Sequence, residues 1–238
     1  MLCRAKEALQ ALDTLPHIDL LPPCRRLFRA RLPDCRLGTI ERGILGFRRV
    51  EDIPGAEAPL AYLRFLRSGR REELQEVLEH NLLDVAALAA LLPRVAGHVA
   101  DPLHWAEDAP ELLASARYHH KRDVDLSIAC LERALEMTRR PGERRQILSQ
   151  LGRLHRRCGR RHAAAEQWKA LRDEFPQHDE GYIELSKHHE HVTKELSTAL
   201  EHAEAAPHAA RPEIQHRLSR LRRRLAGRGS REEQLEAP

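Results

Sequence analysis

Glu72–Leu92 reads EELQEVLEHNLLDVAALAALL. The stretch lacks Gly and Pro and is dominated by Ala, Leu, Glu and Gln, so it predicts a helix. Leu74, Leu78, Val85, Leu88 and Leu92 recur along one line of three- and four-residue steps, with Asn81 standing where the series expects another apolar side chain. An apolar stripe of this kind packs against a neighbour. His80 and Asp84, four positions apart, lie beside the break and share one side of the helix. A carboxylate next to an apolar seam is costly unless it is paired. Two readings stay open: a structural carboxylate with a buried partner, or one held for a metal or a proton.

Upstream of this helix the chain is rich in arginine. Arg25, Arg26, Arg29, Arg31, Arg36, Arg42, Arg48 and Arg49 face only Asp34 and Glu41 between Pro22 and Arg49. Short helices are expected over Pro23–Ala30 and Gly38–Leu45, the second closed by Gly46. The guanidinium groups form either a solvated face or a ridge that contacts backbone phosphates. In the second case Arg25, Arg26, Arg29, Arg31 and Arg36 are the candidate nucleic-acid contacts. Phe28 and Phe47 are the aromatics of this run, which points to backbone contact rather than base stacking. Glu51–Pro59 reads as a loop turning at Pro54-Gly55, and a short helix follows over Ala61–Leu66, ended at Ser68-Gly69. Met1–Asp13 predicts a short amphipathic helix, and HIDLL (His17–Leu21) a short buried strand. One strand cannot form a sheet.

The segments HIDLL, CRLGTIERGILG (Cys35–Gly46), EDIPGAEAP (Glu51–Pro59) and HNLLDV (His80–Val85) together resemble the RNase H-like 3′–5′ exonucleases, in the bacterial YprB-like branch. The resemblance covers roughly residues 15–95. It implies an α/β domain holding two divalent metals (Mg²⁺ or Mn²⁺) on four acidic residues and hydrolysing phosphodiester bonds of DNA or RNA. On that pattern Asp84 is a metal ligand and His80 the residue that orients or deprotonates water. The residue type at His80 follows one subclass and its spacing to Asp84 the other. The Asp-x-Glu strand that opens the family's sheet has no counterpart upstream of His17, and Asp19 reads as a structural strand residue. The resemblance is therefore to the C-terminal part of the domain, with an incomplete sheet, and hydrolysis by this chain alone is not expected.

The rest of the composition bounds the class. Forty basic and thirty-six acidic residues among 238 give a net charge of +4, with 42% hydrophobic and 32% charged residues. No apolar run reaches the roughly 18 residues of a membrane span, and the first residues lack a signal-peptide core. The five cysteines are scattered without CxxC spacing, which indicates neither a zinc site nor a disulfide framework. A cytoplasmic protein without a membrane partner is expected.

The periodicity breaks from Pro93 to Pro110, so residues 96–110 are expected as a linker, with Trp105 as an anchor between two halves. Beyond it, Leu148, Leu151, Gly152, His155, Gly159, Ala164, Trp168, Leu171 and Pro176 reproduce the spacing of a tetratricopeptide repeat, about 34 residues long. Gly152 and Ala164 are small where two helices would cross closely. A looser copy fits upstream (Ala114, Ser115, Tyr118, Ser127, Leu131, Ala134) and another downstream (Tyr182, Leu185, Ser186, His189, Ala199, Ala203, Ala206). A plain antiparallel bundle is the alternative. His188 and His191 stand one turn apart, but no carboxylate or cysteine completes a metal set around them. Glu213–Leu225, EIQHRLSRLRRRL, is either a cap of the helical array or a basic arm, and residues from Gly227 onward are expected without structure.

The sequence thus predicts a mainly α chain. Residues 1–95 are part of an RNase H-like α/β domain, and 111–206 a tetratricopeptide-like α-solenoid. Residues 207–238 are a basic helix and tail. The two functional expectations are nucleic-acid binding by the first part and, alternatively, protein–protein docking on the repeats.

Overall fold

The computed structural model describes residues 16–50, 53 and 56–236, with side chains to residue 227. The expected Met1–Asp13 helix, and most of the Glu51–Gly55 loop, lie outside the described residues. Among the described residues every regular element is helical. The chain divides into two compact units, Met1–Trp105 and Ala106–Pro238.

In the first unit, α1 spans Leu21–Phe28 and α2 Leu37–Ile40, continued by a π-helical turn over Glu41–Leu45. Gly46, at φ +67°, ends that turn in the left-handed region, which glycine enters without steric cost. α3 covers Ala58–Ser68, α4 Glu72–Ala100 and α5 Pro102–Trp105. The expected HIDLL strand is corrected. His17–Asp19 are exposed and irregular, and Asp19 Oδ1 accepts the Leu21 N–H at 2.9 Å, capping α1. A capping carboxylate at a helix start meets an otherwise orphaned donor.

α4 departs from expectation in two ways. It runs unbroken through Pro93 to Ala100, so the first residues expected as linker are helical. Leu91 and Val95, buried on either side of Pro93, offset the lost backbone hydrogen bond. Second, the stripe read from the sequence is not the packed face. Leu78 and Val85 are 64% and 65% exposed, and Leu88 and Leu92 are exposed as well. The packed face runs through Ala87, Leu91, Val95 and His98, in line with Asp84 one turn before and His80 two turns before. His98 is buried against Phe28 of α1, edge to face at 5.6 Å, and its Nδ1 meets the Arg94 carbonyl at 2.8 Å. By length and composition α4 also passes as a membrane span, which corrects the expectation that no segment does; one such helix is weak grounds for a membrane protein. Trp105 packs within this unit: a Cβ on Gly97 would stand 2.3 Å from the indole ring.

The second unit consists of α6 (Ala109–His119), α7 (Val124–Met137), α8 (Pro141–Arg157), α9 (Arg161–Glu174) and α10 (Asp179–His188), then a π-helical turn over His189–Thr193, α11 (Leu196–Glu204) and α12 (Pro212–Glu236). Asp108 and Asp123 cap α6 and α7 through Oδ1, each accepting a backbone N–H at 2.9 Å. The strong packing is between consecutive helices, from α6 against α7 to α11 against α12. Leu131, Ala134, Ile147 and Leu151 are fully buried between α7 and α8. Gly152 faces Trp168 so closely that a Cβ would lie 2.2 Å from Nε1. Ala164 is fully buried, and Trp168 reaches forward to Leu185. Ser127 Oγ donates to the Ala116 carbonyl and Ser186 Oγ to that of Ala199, tying paired helices together at 2.8 and 2.7 Å. Ion pairs span similar lengths of chain: Arg144 reaches Glu174, 30 residues on, and Arg156 reaches Glu184, 28 residues on.

α12 is both cap and basic helix. Ile214, Leu218 and Leu221 are buried against α11. Arg217, Arg220 and Arg224 turn to one carboxylate, the fully buried Glu190, at 2.9, 2.7 and 2.5 Å. The structureless tail expected from Gly227 is corrected: the helix continues to Glu236, as the good helix formers of REEQLE favour.

Candidate nucleic-acid interface

The π-turn after α2 places Glu41 inward, with a side chain 1% exposed. Gly46 then reverses the chain, so that Arg49 comes back over the same turn. Arg49 Nε donates to Glu41 Oε2 at 2.8 Å and Nη2 to Oε1 at 2.5 Å, a two-pronged pair. The same Nη2 donates to Asp84 Oδ1 of α4 at 2.5 Å, and Nη1 stands 3.3 Å from His80 Nδ1. A guanidinium only donates. His80 Nδ1 is therefore the acceptor, and the neutral ring carries its proton on Nε2, which faces Asp84 Oδ2 at 3.6 Å. The spacing of four that put His80 and Asp84 on one helix side thus brings both to one arginine.

Beside this group lies a cavity of about 480 Å³, lined by Leu37, Gly38, Glu41, Arg42, Arg48, Arg49, His80 and Asp84. The sequence-derived candidates divide. His80 and Asp84 line the cavity together. Arg25 and Arg26 are exposed on α1, Arg29 is exposed at its C-terminal end, and Arg31 and Arg36 are exposed on the loop that follows. Arg31 Nη2 contacts the Gly43 carbonyl at 3.4 Å. None of these five lines the cavity. Glu41 and Arg49 are the central residues that the sequence named only as members of a charged run. The signal for them was a lone acid, Glu41, set between apolar Ile40 and Ile44 among arginines.

A second cavity of about 340 Å³ in the same unit is largely apolar, with Cys24 and Cys35 in its wall. Burial pushes the Cys24 thiol up to about 11, so it is inert as a nucleophile at neutral pH. Among the described residues the four cysteines Cys24, Cys35, Cys130 and Cys158 are free.

The donor set does not fit a divalent cation of the Mg²⁺ or Mn²⁺ type. Such an ion asks for several oxygen ligands in near-octahedral array. Both oxygens of Glu41 and one of Asp84 already accept from Arg49. Among the described residues no group of three or more His, Cys, Asp or Glu side chains converges on one point. His188 and His191 do not converge either, one being buried and the other exposed.

Residues 3–96 match the family model of the RNase H superfamily, whose members generally use divalent metals. Over 203 residues the chain is 32% identical to the uncharacterized protein YprB of Bacillus subtilis (strain 168). The alignment covers 84% of this chain and 48% of that protein, so the chain spans about half the length of the curated relative it matches. The superfamily match over residues 3–96 and the 32% identity to YprB over most of the chain support an RNase H-like, YprB-like protein.

Proposed function

We propose that the chain binds nucleic-acid strands through their phosphate backbone, on the arginine-rich face of its first unit, and does not by itself hydrolyse them. The RNase H superfamily match supports nucleic acid as the partner. The observation that carries the mode of binding is the exposure of Arg25, Arg26, Arg29 and Arg36 on and after α1. Guanidinium groups in water-facing positions bind phosphates without reading bases. His80 and Asp84 serve here to orient Arg49; the metal-ligand and general-base roles of the family pattern would require Arg49 to leave Asp84.

The test is a binding isotherm for labelled single and double strands across a salt series. Affinity falls steeply with salt and is alike for unrelated sequences, because phosphate contacts release counterions. Arg25→Glu with Arg29→Glu weakens all strands together. An isotherm unchanged by salt refutes the reading. Release of nucleotides by the 238-residue chain with Mg²⁺ or Mn²⁺, abolished by Asp84→Asn, refutes the absence of hydrolysis.

A second reading concerns the other unit. Its paired helices, the small residues Gly152 and Ala164 at the α8–α9 crossing, and ion pairs reaching about one repeat length along the chain support a tetratricopeptide-like array. Such an array offers a docking surface for a protein partner. Four free cysteines among the described residues accord with a reducing, cytoplasmic setting.

A further inference from the structure

We propose that the cavity beside Arg49 is a metal-independent phosphate site, in which the Arg49 guanidinium stands between Glu41 and Asp84 in place of a divalent cation and Arg42 and Arg48 grip a phosphate group of a nucleic-acid strand. The proposal rests on the nucleic-acid reading above and deepens it.

Arg49 is built in, not adventitious. Its side chain is 9% exposed and that of Glu41 1%. It holds two carboxylates from two different elements and contacts the ring of His80. A guanidinium does not lose its charge in a protein, so the neutralisation is permanent and independent of metal supply. Without it, Glu41 and Asp84 would repel any anion entering the cavity. With it, the walls carry three guanidinium groups against two carboxylates. Arg42 and Arg48 are exposed at the rim, and among the described residues neither is in an ion pair. They remain available to an incoming phosphate, whose oxygens accept paired N–H groups. The cavity, at about 480 Å³, has the size of an ordinary small-ligand site. The neighbouring 340 Å³ cavity of the same unit has no arginine in its wall, so within this unit the two cavities differ in charge.

Two measurements on the full chain test the idea. Thermal melts in EDTA and in millimolar Mn²⁺ have the same midpoint for the parent protein. Arg49→Gln, which releases both carboxylates, gains a Mn²⁺-dependent rise in midpoint. A Mn²⁺ shift in the parent, or none in a folded Arg49→Gln variant, overturns the replacement of the cation. Binding of a short single strand is then compared in EDTA and in Mg²⁺ at matched ionic strength. Parent affinity is equal in the two, and Arg42→Ala with Arg48→Ala lowers it at least tenfold, on the scale of one lost charge-assisted contact or more. Mg²⁺-dependent binding, or an unchanged affinity in the double variant, overturns the phosphate site. If the parent binds no strand at all, the nucleic-acid reading and the phosphate site fail together, while the melts still decide the role of Arg49. Should Arg49→Gln not fold, the parent melt and the binding arms decide alone.

Discussion

The two units treat apolar surface in opposite ways. Of the sixteen large hydrophobic side chains that stand exposed among the described residues, only Met137 belongs to the second unit. In the first, Leu60, Tyr62, Leu63 and Leu66 of α3, and Leu78, Leu82, Val85, Leu88 and Leu92 of α4, stand 42–68% exposed. In the second, each helix from α7 to α11 is clasped by the helices before and after it. The same contrast appears in how each unit handles a buried acid in a π-turn. Glu41 is held by one arginine shared with Asp84. Glu190 is held by three, all from the last helix. Amphipathic periodicity, present in both, is therefore not enough to stabilise a layer. What separates them is whether the apolar face has a neighbour in the same unit, and large bare apolar patches on proteins usually mark a surface of contact.

The contrast can be broken most strongly at a core leucine. Leu131, fully buried between α7 and α8, should cost about 2–5 kcal/mol as Leu131→Ala. Leu82→Ala, at a side chain 68% exposed, should cost no more than about 0.5 kcal/mol. Denaturant titrations of the two variants measure the difference; equal losses would mean that α4 is packed in solution. Trp105→Phe leaves Trp168 as the one tryptophan and makes fluorescence a reporter of the second unit.

Next in size is Glu190→Gln. It leaves three arginines about a neutral amide in a fully buried position, and should cost on the order of 3 kcal/mol. Retained stability would show that α12 is held by Ile214, Leu218 and Leu221 alone. Asp84→Asn, the corresponding change in the first unit, should cost only about 1 kcal/mol. Asp84 is partly exposed and Arg49 keeps both prongs on Glu41. A melt of Asp84→Asn that matches the loss in Glu190→Gln would remove the distinction between the two clasps.

The smallest effect is in pH. Burial, with nearby His189 as a second cause for two of them, holds the imidazoles of His155, His188 and His202 below the ordinary 6.5. The folded second unit thus binds fewer protons than its unfolded chain. Stability from these residues is complete above the unfolded value of 6.5 and is lost as the pH falls from there through their lowered folded values. The Trp168 melting midpoint should decline from neutral to mildly acid pH. In His188→Gln with His202→Gln that decline should shrink, and an unchanged slope would assign the effect elsewhere.

The second unit was the more legible of the two because small residues at fixed spacing have a local cause. Gly152 leaves the space that Trp168 of the next helix fills, Ala164 is fully buried one turn before that tryptophan, and such small residues show in the sequence. The helical nature of Glu72–Leu92 was equally plain. Its orientation was not. Leu and Ala occur around most of α4, so the line through Leu78 and Val85 looked as good a core as the line through Ala87 and Leu91. The packed line is chosen by Phe28 meeting His98, a contact across 70 residues of chain. His80 and Asp84 could be paired from their spacing, but the third party could not be identified. Arg49 was one of eight arginines in its run, and its return over Glu41 depends on the left-handed Gly46. The HIDLL strand was misread because alternating apolar residues suit a strand as well as a helix entry capped by Asp19.

Several polar side-chain contacts that link one helix pair of the second unit to the next have a similar reach along the chain, which bears on how that unit assembles. Ser149 meets Glu180 across 31 residues, and Arg217 meets Glu190 across 27. Each such contact closes a loop of nearly the same length, and closure entropy changes only with the logarithm of that length. No step of assembly then waits on an unusually costly one. With the strong packing confined to consecutive helices, contact order stays low and folding is fast for the size of the unit. It can start at any helix pair and spread both ways, so the unit can fold progressively as its chain is made.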